Sequence, residues 1–459
     1  MTLGPRSTVA QLAKALASRA VSSVELTETY LQLLSTKGTE HNAVAELTRE
    51  HALAQAKKAD AERKRGRVRG PLHGIPFGAK DLLATKGIPT RWGSPGHSDQ
   101  VFNYDATAIR KLYEAGAILV AKLSMIELAG GGNYNVANAS ANGPCLSAFD
   151  KTRWAGGSSS GSGAAATLGL CGFTLGSETS GSITCPSAFN GATGFRPTYG
   201  RVSRYGAMAL CWTLDKIGPI ARSAECCATV LQTIAGYDSR DPSSLEEKFS
   251  LRPARKRPKI GLLKESFKEN DAGECEKAYN EAIKQLKKLG YETVDVAYPD
   301  LPYGTAVEII VNAEGASAHE HFIRGPRFQS LADKNQVAGL AAALETKAVD
   351  YLWALRFRTE ALKANSVWEK CDCIFSPVFY HGAPPIDQPF DRSFAKMGGD
   401  GGPANLLGWP AIAFPIGFEG ELPLGGQIIA PAKREDVCLR VALDYQRETD
   451  WHLRRPRNV

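Results

Sequence analysis

Three side chains in this sequence could together make a nucleophile without a histidine. Ser158 lies in Gly-Gly-Ser-Ser-Ser-Gly-Ser-Gly at 156–163, and Ser182 lies in Ser-Glu-Thr-Ser-Gly-Ser-Ile at 177–183. Lys80 closes the apolar run Gly-Ile-Pro-Phe-Gly-Ala-Lys-Asp at 74–81. A hydroxyl attacks a carbonyl only when a base takes its proton and nearby N–H groups receive the oxyanion it creates. Glycine-rich turns present such N–H groups, and a lysine serves as the base if burial keeps it neutral.

Each motif has a plainer reading. A Ser/Gly run is often a linker, but this one leads straight into Ala-Ala-Ala-Thr-Leu-Gly-Leu at 164–170, the start of a buried helix. It also lacks the Gly-Lys-Ser/Thr ending of a phosphate-binding loop. Ser182 precedes an apolar segment and is expected to cap a helix as well as to react. Lys80 would be a surface lysine but for its place between an apolar strand and Asp81-Leu82-Leu83. His73 is read as a packed or supporting residue, His319 and His321 flank Glu320 on a helix without enough beside them to make metal ligands, Cys185 is read as a small apolar filler, and no metal site is assigned.

The elements that must position these groups follow from local pattern. Leu12, Leu16, Val24, Leu26, Tyr30, Leu33 and Leu34 recur at helical spacing, so residues 1–70 are expected to form helices packed on the core. From residue 71 to 459 the texture is one of short apolar runs between Gly, Pro and Ser, read as buried strands of one catalytic domain. Among these runs are 117–121, 168–175, 373–378, 411–418 and 426–430. Residues 259–296 read as strand, helix, strand, with Gly290 just past the helix end. Residues 380–402 read as loop.

At 459 residues, 43% hydrophobic and 22% charged, the chain has an ordinary globular composition. The net charge of +7 and the basic stretch 57–69 do not argue for nucleic acid, because Asp60 and Glu62 interrupt that stretch as on a solvated helix end. Neither a leader nor an apolar run long enough to span a bilayer is apparent. The ten cysteines lack zinc-site spacing, so reduced thiols in a soluble cytoplasmic protein are expected.

Taken together, these residues resemble the amidase signature family of serine hydrolases over nearly the whole chain. The likeness rests on Pro71-Leu-His-Gly-Ile-Pro with Lys80-Asp81, on Gly156-Gly-Ser-Ser, and on Gly181-Ser-Ile with Pro186-Ser-Ala-Phe. Ser158 and Ser182 stand 24 positions apart, which suits the family's bridging serine and nucleophile. Further matches are Arg196-Pro-Thr-Tyr-Gly-Arg, Leu214-Asp-Lys-Ile-Gly-Pro, Pro403-Ala-Asn-Leu-Leu-Gly-Trp-Pro and Asp450-Trp-His-Leu-Arg-Arg-Pro. The resemblance implies an α/β/α sandwich around one large, mixed, twisted sheet. It also implies catalysis by Lys80, Ser158 and Ser182, a cis peptide before Ser158, and an oxyanion hole from the N–H groups of Thr179, Ser180, Gly181 and Ser182.

Three departures stand out from the family's usual Asp-Thr-Gly-Gly-Ser-Ile-Arg: Glu178, Ser180 and Thr184. The first loop also has Ser160-Gly161 where Gly-Gly is usual. Either serine would be strained at a positive φ. The expected activity is hydrolysis of a small-molecule amide, extending to aryl amides, esters and carbamate (urethane) bonds. It would need no cofactor, nucleic-acid partner or membrane, and would run as a monomer or homodimer. The turn Ala129, Gly130, Gly131 and Gly132, together with the loop 208–212, is expected to bind substrate, and the glycine-rich 398–402 stretch to widen the pocket. The alternative is the glutaminase component of a tRNA-dependent amidotransferase, which shares the three groups but passes ammonia to a partner protein.

Overall fold

Apolar runs bounded by glycine and proline pair into one sheet in a computed structural model that describes residues 7–457, apart from 248, 264, 266 and 391–400. The strands are β1 (Val44–Leu47), β2 (Pro76–Lys80), β3 (Ile118–Leu123), β4 (Phe173–Glu178), β5 (Thr193–Arg196), β6 (Lys216–Ala221), β7 (Ile260–Leu263), β8 (Thr293–Val296), β9 (Cys373–Pro377), β10 (Ala411–Glu419) and β11 (Leu422–Ile429). Their order is β1-β3-β2-β4-β6-β5-β10-β11-β9-β7-β8. β2 runs parallel to β3 and β4, whereas β4 to β6 and β10 to β11 are antiparallel, so the sheet is mixed as expected.

Helices cover the sheet: α1 (Val9–Ala17), α2 (Ser23–Leu33), α3 (Arg49–Lys64), α4 (Thr107–Glu114), α5 (Ser160–Leu168), α6 (Thr184–Asn190), α7 (Ala224–Ile234), α8 (Gly273–Lys288), α9 (Tyr303–Ile323), α10 (Lys334–Ala343) and α11 (Ala348–Ala364). Successive strand side chains point to opposite faces. In β3, Leu119 therefore joins the cluster containing Phe77 and Phe173, while Ile118 and Val120 pack with Ala164, Ala165 and Leu168 of α5. A sheet buried on both faces explains why β2, β3 and β4 read as continuous apolar runs.

Four expectations change. Residues 1–70 contribute more than helices, because β1 adds antiparallel to β3 and closes one edge of the sheet. The run 168–175 is not one strand: α5 ends at Leu168, Gly169 turns left-handed at φ 71°, and β4 starts at Phe173. Half of the 156–163 glycine loop is the first turn of α5, where a Cβ on Gly161 would meet the Ala43 carbonyl at 2.3 Å and the Ser124 nitrogen at 2.6 Å. Glycine there serves close packing of a buried helix. Of the 380–402 loop, positions 391–400 lie outside the described residues and Gly401–Leu406 is helical.

Candidate active site

Lys80 leaves the end of β2 fully buried between β3 and β4. Its Nζ donates to Ser158 Oγ at 2.7 Å and to Ser177 Oγ at 3.0 Å. Ser158 Oγ in turn donates to Ser182 Oγ at 3.0 Å. The three side chains singled out by type and spacing therefore form one unbroken line of contacts, and the Gly157–Ser158 peptide is cis. Burial pulls Lys80 down to about 7, against the opposing charges of Asp215 and Glu178. An amine that titrates near neutrality at the end of two hydroxyls can receive a proton from the outer one.

The turn carrying Ser182 is held from both ends. On its far side the buried Glu178 accepts from the N–H groups of Ile183 (2.8 Å) and Thr184 (3.0 Å) through Oε2. Its Oε1 meets Arg196 Nη1 at 2.6 Å, with both side chains fully buried. Burial alone would raise the Glu178 carboxyl, but Arg196, Lys216 and these donors outweigh it and hold the group at about 2. The cation absent at Thr184 is thus supplied from β5. This geometry also corrects the capping expectation: Ser182 does not cap α6, whose first N–H groups go to Glu178, leaving the Ser182 hydroxyl to Ser158.

Among the described residues, no backbone or side-chain acceptor takes the N–H of Thr179, Ser180, Gly181 or Ser182. In this turn only Gly181 has a positive φ, at 87°, so Ser180 sits in an ordinary backbone region, as does Ser160 within α5. The two serine-for-glycine departures therefore carry no left-handed strain.

Beside Ser177 and Thr179 opens a cavity of about 260 Å³, with Leu82, Ala129, Met208, Leu210 and Trp212 in its apolar wall. Of the 129–132 turn, Ala129 faces this cavity, held at φ 56° next to Leu128 at 46°. Gly132 does not: a Cβ there would meet the Gln336 carbonyl and the Leu340 nitrogen of α10, each at 2.6 Å. Gly131 packs toward Leu210 and Leu340, and Gly130 toward Tyr134. Gly132 lets two backbones approach, while Gly130 and Gly131 leave room for neighbouring side chains, roles that sequence spacing cannot distinguish from substrate contact.

His73 packs on α3, with Nδ1 accepting from Arg69 N and Nε2 near the Ala59 carbonyl. His319 is buried against Trp92 while His321 is exposed, so the pair does not converge. Cys185 is packed among Trp154 and Phe189, with its thiol pushed up to about 12 by burial. Among the described residues, no group of three His, Cys, Asp or Glu could hold a metal ion. Sequence reasoning gave no role to Ser177, Asp215 or Lys216, although Asp215 and Lys216 stand in the Leu-Asp-Lys-Ile-Gly-Pro motif.

A family model described as Amidase matches residues 25–439. This chain belongs to the amidase signature family. It is 34% identical to one component of the glutamyl-tRNA(Gln) amidotransferase of Nostoc sp., over 98% of this chain and 99% of that one. The native peptide amidase of Stenotrophomonas maltophilia superposes with a TM-score of 0.86 at 29% identity, covering 98% of each chain. A chain from a vestigial protein complex that bears on the origins of an s-triazine catabolic enzyme gives 0.87 at 29%, covering 96% of this chain and 98% of the other. The amidase signature fold and an amide-cleaving chemistry are thereby established for this enzyme. Among its described residues, no helix is long and apolar enough to cross a membrane.

Proposed function

We propose that this enzyme hydrolyses carboxylic amide C–N bonds through an acyl-enzyme on Ser182, with Ser158 as relay and Lys80 as base. The observation that carries the reading is the unbroken line from Lys80 Nζ through Ser158 Oγ to Ser182 Oγ, at 2.7 and 3.0 Å, ending on an amine lowered to about 7. With each hydrogen bond reversed, Ser182 gives its proton to Ser158 as its Oγ attacks the carbonyl carbon, and Ser158 gives its own to Lys80. The oxyanion meets the free N–H groups of the 179–182 turn, each worth roughly 3 kcal/mol when well aimed. On collapse Ser158 protonates the leaving nitrogen, recovers a proton from Lys80, and the amine departs. Water then cleaves the ester along the same relay and the carboxylic acid leaves.

The apolar wall of Leu82, Ala129, Met208, Leu210 and Trp212 supports small aryl or alkyl substituents on the substrate. Aryl amides, esters and carbamates all pass through the same tetrahedral oxyanion, so they form one substrate range. A second reading, the glutaminase component of a tRNA-dependent amidotransferase, is favoured by the 34% identity to the Nostoc protein. The replacements Glu178, Ser180 and Thr184 weigh against it.

One assay separates the two: aniline release from small anilides and carbamates against ammonia release from glutamine, for wild type and Ser182→Ala. Anilide or carbamate turnover lost in the variant is expected. Glutamine turnover alone, dependent on a co-purifying partner, would select the second reading, and turnover that survives Ser182→Ala would remove both.

A further inference from the structure

One buried carboxylate joins parts of the site that are distant in sequence. Asp215 directly precedes β6; its Oδ1 accepts from the Thr179 hydroxyl at 2.6 Å. Its Oδ2 accepts from the N–H groups of Leu210 and Cys211, each at 2.9 Å. The first contact lies on the turn that carries Ser182, and the other two lie on the loop that walls the cavity. The next residue, Lys216, reaches the Thr179 carbonyl at 3.4 Å. In a trans peptide the carbonyl and the following N–H point in opposite directions. Holding Thr179 by its hydroxyl and carbonyl therefore fixes where the Ser180 N–H points.

We infer that Asp215 is a positioning residue that locks the 179–182 turn to the cavity loop and contributes a negative charge to the surroundings of Lys80. This rests on the reading of Ser182 as nucleophile and of that turn as oxyanion hole. Both Asp215 oxygens accept from donors only, the pattern of an ionised carboxylate. Burial pushes the carboxyl up, and the Thr179, Cys211 and Leu210 donors oppose it. The charged and titratable groups around it are Lys80 on β2, Glu178 on β4, Lys216 on β6, and Arg204 and Cys211 on the preceding loop. The Asp215 charge, together with that of Glu178, favours the protonated form of Lys80 against burial.

The test follows the rate at which a fluorophosphonate probe labels Ser182 as a function of pH. Asp215→Asn removes the charge, so the rising limb should move to lower pH by about one unit. Thr179→Val keeps the charge but cuts the tether, so labelling should slow about tenfold with the limb in place. Thr179→Ser, which keeps the hydroxyl, should restore it. An unmoved limb in Asp215→Asn, or wild-type labelling in Thr179→Val, overturns the inference. If Asp215→Asn does not fold, the two Thr179 variants decide. Labelling that persists in Ser182→Ala instead marks failure of the nucleophile reading, whatever Asp215 does.

Discussion

At the residue scale the site is governed by what surrounds each polar group. Ser158 and Ser182 were legible because the glycines flanking them make their loops conspicuous, and Lys80 because an apolar strand ends on it. Glu178 was legible only as a departure, since its partner Arg196 lies 18 positions away and no local pattern pairs them. Removing one partner of a buried ion pair strands the other charge. Glu178→Ala should therefore lower unfolding free energy by about 3–5 kcal/mol in a denaturant titration. Because its folded value is depressed to about 2 from 4.5, the stability Glu178 gives is fully present above 4.5 and lost as pH falls toward 2. A variant as stable as wild type at neutral pH would show that the pair only breaks even.

At the scale of elements, the hydrophobic pattern identified α1, α2 and α8, which each bury one face in regular steps, and most strands, whose apolar runs are continuous because the sheet is buried on both faces. It misread the segment around α5, because a helix of Ser, Gly and Ala has no apolar stripe to recognise and is buried all round. What specifies that helix is the absence of side chains, which lets α5 lie against Ala43 and Ser124. Gly161→Ala should then destabilise by about 1–3 kcal/mol, read as a lower melting temperature together with slower labelling of Ser182, because α5 follows directly from Ser158. Unchanged melting would mean that the contact yields without cost.

At the scale of the whole molecule, strand order was not legible, because β5 pairs with β10 across more than two hundred residues and only tertiary packing chooses such partners. The same packing makes residues 1–70 part of the core: Leu12, Leu16 and Tyr30 are fully buried, and β1 covers the edge of β3. A chain starting at residue 71 should aggregate, as seen by size-exclusion chromatography, because it exposes that edge and those apolar faces. A monodisperse, active truncation would contradict this. Burial of β2 between two strands is also what sets the Lys80 amine, so the pH dependence of kcat/KM for an anilide reports on the fold and the chemistry together. In the proposed mechanism the neutral amine is the working form, so activity should rise with pH through about 7 and level off above it, and Lys80→Met should lose it at every pH. A flat profile across that range, or a Lys80→Met variant that keeps its turnover, would contradict the account.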